Sequence, residues 1–140
     1  MIPKIKITVE ISVSDTLENT WKTWTSPEDI MIWNTASADW HTTKVENNLI
    51  VGGDFLYRME AKDGSFGFDF TGIYDNIIHQ KQINYTMGDG RTSSITFTAH
   101  ENEINIIQTF EAETENTIEL QQNGWQQIMN NFKKHIESMR

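Results

Sequence analysis

The residues able to do chemistry in this sequence are few and scattered. The four histidines are His41, His79, His100 and His135. No two of them have the spacing that places metal ligands on one face of a helix, and cysteine is absent, so no metal site is expected. Ser93 and Ser94 belong to no Gly-x-Ser-x-Gly motif, and no phosphate-binding or dinucleotide-binding glycine loop occurs. The sequence therefore predicts no catalytic residue, no metal and no cofactor.

The chemistry that the sequence does favour is the binding of apolar molecules by aromatic rings and methionine side chains. Such residues alternate along several segments: Phe55, Tyr57 and Met59, then Phe66, Phe68 and Phe70, then Tyr85 and Met87, and finally Ile95 and Phe97. Alternation places side chains on one face of a strand. Aromatic faces and polarizable methionines suit a flat or variable apolar guest. The same side chains could equally form a closed core, and the pattern alone leaves both interpretations open.

Two further candidates lie in a segment without regular periodicity. Residues 34–42 fit neither a helix nor a strand, and we expect an ordered loop that carries Trp40 and His41. Because loops on a rigid scaffold often carry function, this pair could form the mouth of a cavity. Alternatively, Trp40 fills the core and His41 points to solvent. Trp33, at the end of a short predicted helix, is a candidate for the same cavity lining.

The net charge of the chain limits the classes of partner that it can bind. Twenty acidic residues against eleven basic ones give a formal net charge of -9. Nucleic acid and anionic membrane surfaces would repel such a chain, so neither is an expected partner, whereas a protein partner remains open. Arg58 and Asp69 have the opposite strand parity from the aromatic rows, which predicts that they face solvent. A reversed parity would instead bury them as a polar pair that could orient a ligand.

The elements that must position these residues begin with a strand. Apolar residues alternate over 5–13, which is typical of a half-buried strand. Helical spacing replaces this pattern at 17–24, where an apolar stripe follows a helix start at Asp15. A second short helix is predicted over 27–33, because Ser26 is a good N-cap and a proline follows it.

Six strands are predicted in the central part of the chain. Their approximate bounds are 43–50, 54–61, 66–78, 81–87, 92–99 and 103–112. Asp63-Gly64 and Asp89-Gly90 are strong hairpin signals because both residue types tolerate positive φ, and Gly52-Gly53 marks another turn. Short hairpins make the predicted sheet antiparallel.

The last segment predicts one long helix with an apolar stripe. Its N-cap is expected at Asn116, and the stripe consists of Ile118, Trp125, Ile128, Met129, Phe132 and Ile136. A sheet with one polar face must cover the other, and this helix alone is long enough to do so. We therefore expect Trp125, Met129 and Phe132 to face the aromatic rows, with Trp125 largely buried. Gly124 predicts that the helix backbone comes close to another element.

Several short motifs together give the chain a recognisable signature. They are Val13 to Trp24, Ser26-Pro27-Glu28, Trp33, Val51-Gly52-Gly53-Asp54-Phe55, Gly72-Ile73-Tyr74 and Asn123-Gly124-Trp125. In these positions the sequence resembles the START/Bet v1-like (SRPBCC) superfamily, in the subgroup named for the activator of Hsp90 ATPase (AHSA1). The resemblance covers nearly the whole chain, which predicts a single domain over residues 1–140. It implies an α+β helix-grip fold, in which a curved antiparallel sheet of six to seven strands wraps a long C-terminal helix.

The resemblance also implies an internal cavity between the sheet and the C-terminal helix, which relatives use for hydrophobic molecules. Our first hypothesis is therefore the binding of a hydrophobic or aromatic small molecule. A protein-interaction or co-chaperone-like module is the second hypothesis, and a cyclase or hydrolase working inside the cavity is the third. Neither a signal-peptide pattern nor an apolar stretch of membrane-spanning length occurs in the sequence, which predicts a cytoplasmic protein.

Overall fold

The computed structural model describes residues 4–139 and confirms the predicted α+β architecture. Its elements in chain order are β1 (Lys6–Val13), α1 (Leu17–Thr25), α2 (Pro27–Trp33), β2 (Trp40–Asn47), β3 (Asp54–Ala61), β4 (Gly67–Ile78), β5 (Gln82–Met87), β6 (Thr92–His100), β7 (Glu103–Glu111) and α3 (Ile118–Ser138). Two short helices follow the first strand, and the long helix ends the chain, as the resemblance implies.

The seven strands form one curled antiparallel sheet in the order β1-β7-β6-β5-β4-β3-β2. Hairpins join β2 through β7, whereas α1 and α2 carry the chain from β1 at one edge to β2 at the other. At the Asp-Gly hairpins, Gly64 and Gly90 adopt φ values of 78° and 93°. Those values lie in the left-handed region that glycine tolerates, which confirms the two turn predictions.

Strand β2 begins earlier than the sequence predicts. Trp40 pairs with Ala61 and His41 pairs with Glu60, so both residues are part of the sheet rather than of a loop. The expected loop over 34–42 was wrong at this end, because pairing with β3 orders a segment that has no periodicity of its own. A register shift between Thr42 and Lys44 breaks the alternation and hides the strand from pattern analysis.

Helices α1 and α3 each have their N-cap one residue after the predicted position. The N-cap of α3 is Thr117, whose hydroxyl accepts a hydrogen bond from the Leu120 N–H at 3.1 Å, and not Asn116. The Asn116 N–H instead donates to the carboxylate of Glu113 in the preceding turn. Likewise the N-cap of α1 is Thr16 rather than Asp15.

Helix α3 packs along β1 and against α1 and α2. Its C-terminal half enters a closed aromatic core in which the Phe132 ring lies 4.9 Å from Trp24 and 5.2 Å from Trp33, measured between centroids. Phe132 and Ile136 are completely buried there. None of the helices described over residues 4–139 is both long enough and apolar enough to cross a membrane.

The outer face of the sheet carries the polar side chains. Arg58 and Asp69 form an ion pair of 3.4 Å, and both remain substantially exposed. This position confirms the predicted parity, because the aromatic residues of β3 and β4 lie on the opposite, inner face. The inner face of the sheet is therefore the surface from which a binding site can be built.

A candidate ligand-binding cavity beneath the long helix

A cavity of about 410 Å³ lies between the inner face of the sheet and the N-terminal half of α3. Its aromatic lining residues are Trp24, Trp33, Phe55, Tyr57, Phe68, Phe70, Tyr74, Tyr85 and Trp125. Leu120, Gly124 and Ile128 line it from α3, one helical turn apart from each other. The volume falls within the range of about 300 to 1,000 Å³ that is typical of small-molecule pockets.

Phe55 organises the aromatic wall of the cavity. Its ring centroid lies 5.0 Å from that of Tyr85, 5.2 Å from that of Tyr57 and 5.6 Å from that of Phe70. The ring rests directly over Gly72 of β4, where an added Cβ would lie only 2.5 Å from it. Any larger residue at position 72 would displace the Phe55 ring, so this glycine sets the position of the wall.

Trp125 closes the opposite side of the cavity. Its indole stacks on Phe110 of β7, with centroids 3.9 Å apart and planes at 16°. The edge of Phe70 meets the same indole at 6.1 Å. Trp125 packs against the core and most of its side chain is covered, as expected, but it is not fully buried because part of its ring borders the cavity.

Gly124 has a different role from the one that its place in the helix suggests. A Cβ at this position would have nothing within 4 Å, so no element approaches the helix backbone there. The prediction of a close approach was wrong. Gly124 lines the cavity, and the missing side chain adds to the open space. A glycine inside a helix costs about 1 kcal/mol relative to alanine, and no packing contact in the structure explains that cost.

One polar network lies where β2, β3 and β4 meet the end of α1. The Tyr57 hydroxyl adjoins that of Tyr74. The Tyr74 hydroxyl donates to Oδ1 of Asn47, and Nδ2 of Asn47 donates to the Thr25 carbonyl at 2.9 Å. Burial raises the pKa of Tyr57 and of Tyr74 above the usual value. Both hydroxyls are therefore protonated at neutral pH and can donate hydrogen bonds.

A second polar network lies under the strands β5, β6 and β7. Nε2 of Gln108 donates to the Tyr85 hydroxyl at 3.1 Å and to the Ser93 hydroxyl at 3.0 Å. Burial raises the pKa of Tyr85 to about 12, so this phenol also stays neutral. Across the described residues, every fully buried side-chain nitrogen and oxygen has a hydrogen-bond partner. The buried polar side-chain atoms around the cavity therefore have hydrogen-bond partners within the protein and do not require a ligand.

The charged groups at the edge of the cavity already have hydrogen-bond partners. Arg91 donates from Nε to the Asp89 carboxylate at 2.8 Å and from Nη1 to the Glu111 carbonyl at 3.2 Å. The Glu113 carboxylate accepts hydrogen bonds from the N–H groups of Glu115 and Asn116. Within residues 4–139, no group of three or more histidine, aspartate or glutamate side chains is arranged to hold a metal ion.

The structure brings eight of the fifteen predicted lining residues to the cavity wall. These are Trp33, Phe55, Tyr57, Met59, Phe68, Phe70, Tyr85 and Trp125. Four others, Met87, Phe97, Met129 and Phe132, are buried in the core away from the cavity. Strand parity explains the difference, since it predicts which face a side chain occupies but not how far along that face the open space extends.

The remaining three predicted lining residues lie outside the cavity. His41 is part of the β2–β3 ladder. Trp40 and Phe66 pack together with their centroids 6.1 Å apart, and Trp40 lies 5.9 Å from Phe68. Phe66 is 64% exposed. We refer to Trp40, Phe66 and Phe68 as the mouth cluster, because Phe68 also borders the cavity.

Sequence reasoning missed several residues that line the cavity, including Trp24, Tyr74 and Gln108. Tyr74 has the same parity as Phe70 on β4, so the alternation already pointed to it. Gln108 was also detectable, because it is a polar residue at a position of β7 where Ile106 and Phe110 place an apolar row. A buried polar residue in such a row often marks a site. No sequence signal identified Arg91, which follows a turn.

Comparison with known proteins agrees with this architecture. A family described as Activator of Hsp90 ATPase homolog 1-like protein matches residues 16–137. An AHSA1-like protein from Aeromonas hydrophila is 41% identical, with a TM-score of 0.90 over 96% of this chain and 94% of that one. A protein from Cytophaga hutchinsonii is 47% identical, with a TM-score of 0.84 over 95% and 92% of the two chains.

More distant structures share the fold alone. A protein from Nitrosomonas europaea superimposes with a TM-score of 0.83 over 97% of this chain and 96% of that one at only 15% identity. No curated protein is significantly similar to the chain. The family match spans α1 through nearly all of α3, and the two bacterial relatives above 40% identity cover almost the full length. The chain therefore belongs to the Activator of Hsp90 ATPase homolog 1-like (AHSA1) family.

Proposed function

We propose that the protein binds a hydrophobic or aromatic small molecule in the cavity between the sheet and α3. The observation that carries the proposal is an open space of about 410 Å³ in a wall of aromatic rings. Protein interiors are normally packed as densely as organic crystals, and an unfilled space of this size lowers the stability of the fold. A guest would restore the missing contacts with Phe55, Phe70 and Trp125.

The energetic basis of the proposal is the burial of apolar surface. Each 100 Å² of apolar ligand surface removed from water contributes about 2.5 kcal/mol before the costs of association. Ring faces such as those of Phe70 and Trp125 add stacking or edge contacts to an aromatic guest. The neutral hydroxyls of Tyr57 and Tyr85 supply a few directional hydrogen bonds. Mostly apolar walls with a small number of polar groups are typical of sites for small molecules.

The test is a thermal-shift screen of the purified protein against a panel of hydrophobic and aromatic compounds. A compound that binds only the folded state at about 100 times its Kd should raise the unfolding free energy by about 2.7 kcal/mol. Tryptophan fluorescence titration should then give a saturable signal, since Trp125 borders the cavity. A panel in which no compound raises the melting temperature would contradict the proposal.

A matched pair of variants connects any binding to this cavity. Ile83 and Ile104 are equally buried, but only Ile83 lines the cavity. Ile83→Phe should occupy part of the open space, keep the fold and weaken the thermal shift. Ile104→Phe enlarges a side chain in closed packing and should destabilise the protein by about 1 to 3 kcal/mol through overpacking. Binding that survives in Ile83→Phe would place the guest elsewhere.

The mouth cluster favours a second candidate function, a protein-interaction module. Phenylalanine and tryptophan are both enriched in protein–protein interfaces relative to the rest of the surface. Phe66→Ser should abolish such an interaction while leaving the thermal response to small molecules unchanged. Affinity capture with the wild-type protein and with this variant would show whether a captured partner depends on Phe66.

A reaction inside the cavity, such as cyclisation or hydrolysis, is the third hypothesis. Among the described residues, the tyrosine hydroxyls are the only feature that supports it.

A further inference from the structure

Gly124 occupies an unusual position in α3. It lies in the interior of a 21-residue helix, where glycine is less favourable than every residue except proline. Glycine is usually kept in a helix because another element packs against the bare backbone. Here a Cβ would have nothing within 4 Å, and the space beside it belongs to the cavity. The glycine thus gives up helix stability and leaves open volume between Leu120 and Ile128.

The charges around the same space restrict what can occupy it. Arg91 is neutralised by Asp89, and the Glu113 carboxylate is held by two backbone N–H groups. The cavity offers neutral hydroxyls at Tyr57 and Tyr85 but no charged group that lacks a partner. An anionic guest would lose its hydration without gaining a free counter-ion. A cationic guest would meet only the Glu113 carboxylate, whose oxygens already accept two hydrogen bonds, so either charge is costly in an apolar site. An uncharged guest has no such penalty.

We propose, building on the function proposed above, that Gly124 sets the size limit of the cavity and that the guest is an uncharged molecule lying against the α3 backbone at this residue. The guest fills the volume that a side chain at position 124 would occupy. Its polar atoms meet the tyrosine hydroxyls, and its apolar surface meets Phe70 and Trp125. Gly124 is in this account a specificity-determining residue of the site.

Two fluorescent probes with the same skeleton test the charge requirement. N-phenyl-1-naphthylamine is uncharged, and 8-anilinonaphthalene-1-sulfonate carries an anionic sulfonate on the same ring system. Titration of the wild-type protein with each probe should show binding of the uncharged probe at least about tenfold tighter. Equal affinity, or tighter binding of the sulfonate, would overturn the requirement for an uncharged guest.

Substitution of Gly124 tests the size limit, with its neighbour as a control. Gly124→Ala should raise the melting temperature by about 3 °C, because alanine is the better helix former and meets no clash. It should weaken binding of N-phenyl-1-naphthylamine by about tenfold, the scale of one methyl group in an apolar pocket. Gly124→Leu should weaken binding further. Asn123→Ala, at an exposed position of the same helix, should leave probe affinity unchanged.

The outcomes separate this inference from the function on which it rests. A Gly124→Ala protein that is more stable and binds the probe as tightly as wild type would overturn the role of Gly124 but not the cavity as a binding site. A variant that is destabilised would show that the space beside Gly124 is closed, which also overturns it. If neither probe binds the wild-type protein and no compound shifts its melting temperature, the proposed function itself fails.

Discussion

The two halves of α3 belong to one continuous helix and one apolar stripe, but they meet different surroundings. In the C-terminal half the inward side chains of Met129, Phe132 and Ile136 are completely buried, and the Phe132 ring packs against Trp24 and Trp33. Around Leu120 and Gly124 the same helix borders an open space. The difference shows that an amphipathic stripe specifies which side of a helix faces inward without specifying whether that side is packed.

The cause of the difference is the partner of each half. The C-terminal half meets α1 and α2, whose Trp24 and Trp33 close on Phe132. The N-terminal half faces the concave inner side of β3 to β6, where Phe55 and Phe70 lie across the cavity. At Gly124 the helix contributes no side chain to this space, and a Cβ there would have nothing within 4 Å.

The largest expected effect comes from the closed half. Phe132→Ala should lower the free energy of unfolding by about 3 to 5 kcal/mol, because it leaves a large void between Trp24 and Trp33. Chemical denaturation monitored by circular dichroism would measure the loss. A cost below about 1 kcal/mol would mean that this half of the helix is as open as the other.

A pH dependence reports on how dry the cavity is. Burial raises the pKa of Tyr85 to about 12, whereas tyrosine in the unfolded chain titrates near 10. Between these values the folded state keeps a proton that the unfolded state loses, so the free energy of unfolding falls as the pH rises from about 10 to 12. Tyr85→Phe should remove on the order of 3 kcal/mol of this loss. Equal pH profiles for the variant and the wild type would show a hydrated tyrosine.

Gly72→Ala tests the position of the cavity wall. The new methyl group would meet the Phe55 ring at 2.5 Å, so the ring must move. We expect a loss of about 1 to 3 kcal/mol in stability together with weaker binding of N-phenyl-1-naphthylamine. Unchanged stability, measured by denaturation, would show that Phe55 does not rest on β4 as described.

Trp125→Ala should cost less than Phe132→Ala although tryptophan is larger. Trp125 is not fully buried and already borders open space, so its removal enlarges an existing cavity and loses the stacking contact with Phe110. We expect a decrease of about 2 kcal/mol in the free energy of unfolding. If the two substitutions proved equal in cost, the contrast between the halves of α3 would be lost.

The smallest effect is expected at Leu120, near the N-terminal end of α3. Leu120 is 59% exposed, so Leu120→Ala should change the stability by less than about 0.5 kcal/mol. Ile136→Ala, near the other end of the same helix, should cost about 2 to 5 kcal/mol because Ile136 is fully buried. The ratio of the two values, from parallel thermal melts, measures the asymmetry of the helix directly.

The sequence predicts the fold well because period-2 and helical patterns, turn residues and family motifs all agree. Its failures have specific causes. Strand β2 was predicted three residues late because a register shift near Thr42 breaks the alternation. Met129 and Phe132 were assigned to the cavity because the stripe places them on the inward side of α3. Whether that side is open or closely packed depends on α1 and α2, which the stripe does not describe. Gly124 was assigned to close packing, because a sequence cannot distinguish a glycine that permits contact from one that leaves space.

The most direct measurement is a crystal structure determined under xenon pressure. Xenon binds in apolar cavities that are open and not in closely packed regions. The account predicts a xenon site between Gly124 and the rings of Phe70 and Phe55, and none among Phe97, Phe132 and Ile136, which are buried and do not line the cavity. Density for xenon only in the second region, or in neither, would contradict the claim that the long helix is closed at one half and open at the other.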